Sequence, residues 1–386
     1  MNSRKRRASQ GLPRLIGRSG WKAHWTFVLV SFPVRNRTHN PNKRWPRISG
    51  VIHGCMTGSG WHDGLRCSYC VSMSRKTILV TGGAGFIGSS LARRLLAEGY
   101  GVVAVDNLSS GIRTNVPDGA EWIEGDIGRA ETLTALPVRN YAAVCHLAAQ
   151  SSGAVSMEQP VYDMQTNAVS TVLLTRWCVE RGVKRIVYAS SMAVYGNPPQ
   201  SPVNEEAPLS PVSYYGVSKL TSEHVLRLAE RAGVATTALR MFNVYGPGQN
   251  LANLRQGMAS IYLAYLLKGE TVPVTGSLDR FRDFVYIDDV IDAWMTVLGR
   301  ASTPSLAYNL GSGTPTTVRA LLAGLLAACA LPADYPITEL AAPAGDQFGL
   351  YADSRRAGAE LGWRASVPLD CGLRRMVEWA KSVRSC

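Results

Sequence analysis

Acidic residues are almost missing from one stretch of this 386-residue chain: residues 1–72 hold a single acid, Asp63, against 13 of the 41 lysines and arginines. The other 314 residues carry 28 basic and 27 acidic side chains, so all but one of the overall charge of +13 belongs to that leader. The larger part has no excess of positive charge with which to hold a polyanion, and no nucleic-acid partner is expected. Long apolar runs are missing as well. The run Ala320 to Leu331 spans twelve residues and Trp25 to Val34 ten, both short of the roughly 20 that cross a bilayer, and no membrane partner is expected. The five cysteines after Met73, at 145, 178, 329, 371 and 386, follow no framework spacing. Reduced thiols in a cytoplasmic protein are the expectation, with no metal site in this part.

The leader has no sustained helical or strand periodicity, whereas Met73-Ser-Arg-Lys-Thr-Ile-Leu-Val reads like the opening of a domain. Residues 1–72 are therefore expected to be upstream sequence translated in error. The alternatives are an Arg-rich, acid-poor targeting peptide or a disordered basic arm, or a zinc site drawn from His53, Cys55, His62, Cys67 and Cys70.

What the larger part does contain begins with Thr77-Ile-Leu-Val-Thr81, then Gly82-Gly-Ala-Gly85-Phe86-Ile87-Gly88, then a stretch with helical spacing of Leu91 and Leu95. This is strand, glycine turn, helix. Such a turn needs residues without side chains because a diphosphate must approach the main chain at the helix N-terminus. A second apolar run, Val102 to Val105, ends at Asp106, eighteen residues past Gly88. A carboxylate there accepts from adenosine ribose hydroxyls and repels a 2′-phosphate, which points to NAD rather than NADP.

Strand and helix signals then alternate: Glu121 to Asp126, a helix near Ala130 to Leu136, Ala143 to Ala148, an amphipathic stretch from Val161 to Arg181, Arg185 to Ala189, a helix Tyr214 to Ala232, and Thr237 to Phe242. Alternation of this kind predicts an α/β fold, a Rossmann-type doubly wound parallel sheet with helices on both faces. Residues 73–245 are assigned to the dinucleotide-binding domain. Residues 246–386 are assigned mainly to a smaller C-terminal substrate-binding α/β part, with a segment near 280–312 returning to the first domain.

Tyr215 and Lys219 stand four residues apart on the predicted helix, one turn apart on one face, and Ser191 follows the preceding strand. An ammonium about 4 Å from a phenolate contributes roughly 4 kcal/mol at an effective dielectric near 20, which would lower a tyrosine pKa from about 10 towards about 7. The trio is a candidate for removing a proton from an alcohol or sugar hydroxyl.

Thr81-Gly-Gly-Ala-Gly-Phe-Ile-Gly88, Asp106-Asn107-Leu, Gly125-Asp126-Ile127, His146-Leu-Ala148-Ala, Asn167, Ser190-Ser-Met-Ala-Val-Tyr-Gly196, Tyr215-Gly-Val-Ser-Lys219, Arg240-Met-Phe-Asn243-Val-Tyr-Gly-Pro247, Arg282-Asp-Phe-Val-Tyr-Ile-Asp-Asp289 and Tyr308-Asn-Leu-Gly311 together resemble the extended short-chain dehydrogenases that act on nucleotide sugars. The resemblance is greatest to the UDP-glucose 4-epimerase group and runs from Lys76 to about Ala380. It implies NAD as cofactor, held by Gly82, Gly85, Phe86, Ile87, Gly88, Asp106, Asn107, Asp126, Ile127, Ala148, Tyr215 and Lys219. It implies Ser191, Tyr215 and Lys219 as catalytic residues. Ser191, Tyr215, Asn243 and Arg282 would bind a nucleotide-diphosphate sugar, Arg282 as a planar donor fork for the phosphates. A homodimer through the helices bearing Tyr215 and Lys219 is implied as well, and His146 is read as structural.

Related dehydratases and decarboxylases place an acid just after the catalytic hydroxyl; here those positions are Met192 and Ala193. That leaves 4-epimerisation, with an NAD(P)-dependent 4-ketosugar reductase and a non-catalytic dinucleotide-sensing regulator as the alternatives. Two departures stand out. An arginine that usually grips the diphosphate is replaced by Pro343 ahead of Gly345-Asp346, and Leu350 occupies a position where some 4-epimerases carry a tyrosine beside the sugar C2 substituent. The second predicts room for an N-acetyl group.

Overall fold

The structure, a computed structural model, describes residues 75–341 and 348–384, together with two strands further upstream. Those strands, β1 (Ala23–Val28) and β2 (Val51–Met56), pair antiparallel within a unit spanning Met1–Val71. The side chains of the suggested His53 to Cys70 zinc cluster, the rest of the leader, and Pro343 and Asp346 lie outside the described residues.

The second unit, Ser72–Cys386, contains the remaining elements. Its first half runs β3 (Thr77–Thr81), α1 (Phe86–Ala97), β4 (Gly101–Asp106), β5 (Glu121–Glu124), α2 (Ala130–Ala135), β6 (Tyr141–His146), α3 (Gly153–Glu158), α4 (Pro160–Met164), α5 (Ser170–Glu180), β7 (Arg185–Ser191), α6 (Tyr214–Arg231) and β8 (Ala235–Met241). Then come β9 (Asn243–Tyr245), α7 (Met258–Lys268), β10 (Val272–Thr275), β11 (Phe281–Tyr286), α8 (Ile287–Leu298), β12 (Ala307–Leu310), β13 (Pro315–Thr317), α9 (Val318–Cys329), β14 (Ile337–Leu340), β15 (Gly349–Leu350), α10 (Arg355–Leu361) and α11 (Leu369–Arg384).

Seven strands form one parallel sheet in the order β12-β8-β7-β6-β3-β4-β5. The chain winds outwards from β3 to β5, then resumes on the other side of β3 with β6. That reversal opens a crevice beyond the strand C-terminal ends, which is where ligands of such sheets bind. Both faces are covered, so the strands read as continuous apolar runs rather than alternating ones. Successive side chains nevertheless go to opposite layers. Ile78 and Val80 pack with Leu91 and Leu95 of α1 and Trp294 of α8, whereas Leu79 packs with Leu174 and Trp177 of α5 and Leu226 of α6. Full burial of each such side chain contributes about 1.5–3 kcal/mol.

Three boundaries differ from the sequence reading. Helix α1 starts at Phe86, three residues before Ser89, so its first turn lies inside the glycine motif. The stretch read as one amphipathic helix from Val161 is broken by a π-helical turn over Gln165–Val169 between α4 and α5. The segment near 280–312, read as returning to the first domain, does so only at its end. Strand β12 joins the edge of the main sheet beside β8, and β11 heads a separate small sheet with β13, β15 and β9.

Candidate active site

A cleft of about 520 Å³ opens above the C-terminal ends of β3, β4, β6 and β7, and every residue assigned to cofactor, substrate or catalysis from the sequence lines it. At its centre is the turn after β3. Gly82 has φ +70°, and a Cβ there would stand 2.7 Å from the Ala148 nitrogen; a Cβ on Gly88 would stand 2.0 Å from the Gly82 carbonyl oxygen. Only glycine fits either place. The α1 N-terminus follows directly, with no acidic side chain in its first turn, so amides and dipole face the cleft uncompensated. Next to it, Asp106 accepts from the Ala84 amide at 3.1 Å and the Leu108 amide at 2.8 Å. Burial raises its carboxyl, and those amides work against the rise. Each oxygen keeps a second lone pair for a diol. Asn107, Asp126 and Ile127 continue this wall, with Asp126 pinned by the Gly128 amide at 2.8 Å. A cradle that a Cβ would fill, an uncompensated helix N-terminus and a carboxylate at the strand end fit an adenine dinucleotide without a 2′-phosphate.

The other half of the cleft is built by β7 and α6. Ser213 caps α6, its hydroxyl accepting from the Gly216 amide at 3.2 Å, and so fixes where Tyr215 enters the helix. The Ser191 hydroxyl is hydrogen-bonded to the Tyr215 phenol and accepts from the Ala193 amide at 3.2 Å. Ser190, one residue back, donates to Glu223 at 2.6 Å, and Arg240 grips the same carboxylate at 2.9 and 2.7 Å. That buried pair ties the end of β7 to α6 and β8.

Lys219 is 3% exposed and donates to the Ala189 carbonyl at 2.9 Å. Burial pushes its amine down to about 8, while the charges of Asp163 and Glu223 oppose the fall. For Tyr215 the sequence expectation of a value near 7 is overturned: burial pushes the phenol up to about 12, the Ser191 hydrogen bond lowers it, and the Asp163 charge raises it. Desolvation of the phenolate dominates, and the Lys219 ammonium is itself buried and donates to Ala189.

At the substrate end, Asn243 donates to the Asp283 carbonyl at 3.2 Å and lies beside the Met192 sulfur at 3.7 Å. Arg282, 6% exposed, donates to the Phe281 and Phe348 carbonyls at 2.8 and 3.2 Å. His146 stands outside the cleft lining. Its ring is bonded to Thr81 at 2.9 Å and Thr171 at 3.0 Å, and burial followed by the Lys219 charge pushes it down to about 3. Leu350 is fully buried with Val194, Tyr195 and Phe242, against Met192. It therefore stands one layer behind the wall formed by Met192 and Phe242, and not on it.

Two residues near the site were not singled out from the sequence. Gln249 lines the cleft with its side-chain carbonyl buried and without a hydrogen-bond partner; its Gly-Pro-Gly-Gln context reads only as a turn. Asp163, with no exposed surface, accepts from Ser218 at 2.6 Å, Gln150 at 2.7 Å and Asn167 at 3.2 Å. An acid inside an amphipathic helix gives no warning of this.

Comparison with known proteins agrees with this geometry. Residues 78–311 match the NAD dependent epimerase/dehydratase family. A UDP-glucose 4-epimerase of Mycolicibacterium smegmatis is 36% identical over 312 residues, 79% of this chain and 98% of that protein. The crystal structure of UDP-glucose 4-epimerase from Thermotoga maritima with UDP-glucose is 34% identical, with a TM-score of 0.76 over 80% of this chain and 99% of that one. A dTDP-glucose 4,6-dehydratase from Streptomyces venezuelae with NAD bound is 31% identical, with a TM-score of 0.74 over 80% and 98%. The fold thus accommodates more than one reaction, and the cofactor cradle, the Ser191, Tyr215 and Lys219 cluster and these likenesses place the chain in the NAD dependent epimerase/dehydratase family.

Proposed function

We propose that the protein interconverts the C4 epimers of a nucleotide-diphosphate sugar, UDP-glucose and UDP-galactose or their N-acetylhexosamine counterparts, through a transient 4-keto sugar. One observation carries this reading against dehydration: Met192 and Ala193 line the cleft directly after Ser191, and the carboxylates among the described lining residues are Asp106 and Asp126, at the opposite, β4–β5 end. Among the described lining residues, no carboxylate stands beside Tyr215 to shuttle the second proton that loss of water requires.

NAD, held by the Gly82–Gly88 turn, Asp106, Tyr215 and Lys219, would supply reversible hydride acceptance at the sugar C4. Tyr215 takes the proton of the C4 hydroxyl, with Ser191 donating to the same oxygen. Lys219 stabilises the phenolate, and Tyr215 later returns the proton to the C4 oxygen. Asn243 and Arg282 hold the diphosphate while the sugar ring turns over and presents its other face. Hydride returned to that other face of C4 would set the inverted configuration, and the Tyr215 proton completes the hydroxyl.

The test is to express residues 73–386 and follow C4 configuration by NMR with UDP-glucose or UDP-galactose and no added cofactor. Interconversion supports the epimerase; turnover of 4-keto sugars alone, with added reduced cofactor, would replace it with the reductase; no turnover of any nucleotide sugar would favour a sensing role. A homodimer through α4, α5 and α6 belongs to the same proposal. Val161, Val172, Val217 and Leu228 are 68, 40, 39 and 61% exposed on these helices, an apolar surface that supports burial against a second copy. Light scattering on the wild type and on Leu228→Glu tests it.

A further inference from the structure

We propose that Asp163 is a positioning residue for the Tyr215 and Lys219 pair, fixing the catalytic helix through Ser218 and serving as the counter-charge of the lysine. The inference rests on the epimerase reading above. Ser218 lies between the two catalytic residues on α6. Its hydroxyl donates to one Asp163 oxygen at 2.6 Å and accepts from the Asn167 amide at 3.0 Å. The other Asp163 oxygen accepts from Gln150 at 2.7 Å and Asn167 at 3.2 Å. Asn167 sits in the π-helical turn, and that distortion lets one side chain reach both Asp163 and Ser218. The Asn167 carbonyl in turn accepts from Thr171 at 2.6 Å and Ser222 at 3.2 Å, so a continuous polar seam locks α6 against α4 and α5.

The charges around Lys219 identify which carboxylate balances it. From α6 itself comes Glu223, but Arg240 and Ser190 already occupy that carboxylate. From β7 come the Ala189 carbonyl and the Tyr188 ring, 5.0 Å from the ammonium to its centroid; from α6 the Tyr215 ring stands at 5.7 Å. From β6 comes His146, held neutral by burial. Asp163, on α4, is fully buried, its hydrogen bonds come from uncharged donors, and no basic side chain is ion-paired to it among the described residues. Burial raises the Asp163 carboxyl while the Lys219 charge lowers it, and the Asp163 charge in turn raises the Lys219 amine, so each favours the charged form of the other. Asp163 also holds the Tyr215 phenol up.

Removing this negative charge lowers both groups in the same direction. Asp163→Asn is therefore expected to slide both limbs of the pH–rate profile for UDP-galactose conversion towards acid by about one unit and to lower kcat about tenfold. A merely structural role changes Tm and the folded fraction, and leaves the limbs where they are. Ser218→Ala keeps the charge but cuts the link to the helix; it is expected to lower kcat with both limbs in place. An activity-free readout is the ultraviolet phenolate titration, taken as the difference from the same background carrying Tyr215→Phe. Tyr215 should titrate at lower pH in Asp163→Asn than in wild type. Unshifted limbs and an unshifted phenol in folded Asp163→Asn would overturn the counter-charge role, and wild-type kcat in Ser218→Ala would overturn the positioning route. If the wild type fails to convert any nucleotide sugar, the epimerase reading falls, while the phenolate titration still judges Asp163.

Discussion

The Lys219 ammonium stands 5.7 Å from the centroid of the Tyr215 ring and donates to the Ala189 carbonyl at 2.9 Å, so the lysine is anchored to β7 independently of the phenol beside it. Two consequences can be measured. Tyr215→Phe keeps the packing and removes the base, and turnover should fall at least about a thousandfold with NAD affinity little changed. A variant that retains activity would move the base elsewhere. Lys219, held down to about 8, is cationic below that pH and neutral above it. The rate should therefore decline as pH rises through about 8, and Lys219→Met should lose that limb together with most of the activity.

Asp106 governs the choice of cofactor. With the Ala84 and Leu108 amides on its two oxygens, it presents a fixed negative charge at the strand end where a 2′-phosphate would sit. Asp106→Asn removes the charge and sets an amide nitrogen against a backbone donor. Titration calorimetry should show NAD binding weakened about tenfold and discrimination against NADP reduced by at least as much. Undiminished discrimination would place the selectivity in another residue.

The fold was legible because local signals and global topology agreed: Thr77–Thr81, the glycine turn and Asp106 each carry a backbone or charge requirement that few residue types satisfy. The α6 cap at Ser213 and the start at Tyr214 follow the same logic. What was hidden depends on distant partners. The break at Gln165–Val169 arises because Asn167 is drawn to Gln150 and Ser218, seventeen and fifty-one residues away, and no window of helical periodicity contains that pull. The Tyr215 phenol was misjudged for a related reason. The spacing to Lys219 reveals the cation, whereas the burial that dominates the phenol, and the Asp163 charge that adds to it, come from tertiary packing.

Acid stability should report His146. Its folded value is pushed down to about 3 by burial, from an ordinary value of 6.5. Between those two values the unfolded chain binds a proton that the folded protein does not. Stability from this group is thus intact above about 6.5 and is lost as pH falls towards 3, by up to about a factor of ten in the folding equilibrium per pH unit. His146→Gln can still bridge Thr81 and Thr171 without titrating. Its denaturant midpoint should fall less steeply than that of wild type between pH 6 and 4, and parallel curves would show that His146 is protonated in the folded state.

Leu350 tests how the sugar pocket is sized. The sequence reading put this residue beside the C2 substituent, but it is fully buried behind Met192 and Phe242, which form the cleft wall. Any influence on C2 must therefore pass through those two side chains. Leu350→Tyr adds volume to a filled layer, at a cost of about 1–3 kcal/mol, and the simplest relief is displacement of Met192 into the cleft. UDP-N-acetylglucosamine, with its larger C2 group, should then lose more of its kcat/KM than UDP-glucose, alongside a lower Tm. An equal loss for both sugars would mean that the layer behind the wall controls stability alone. Failure of the wild type to turn over UDP-N-acetylglucosamine while accepting UDP-glucose would remove the premise that a small residue at 350 leaves room at C2.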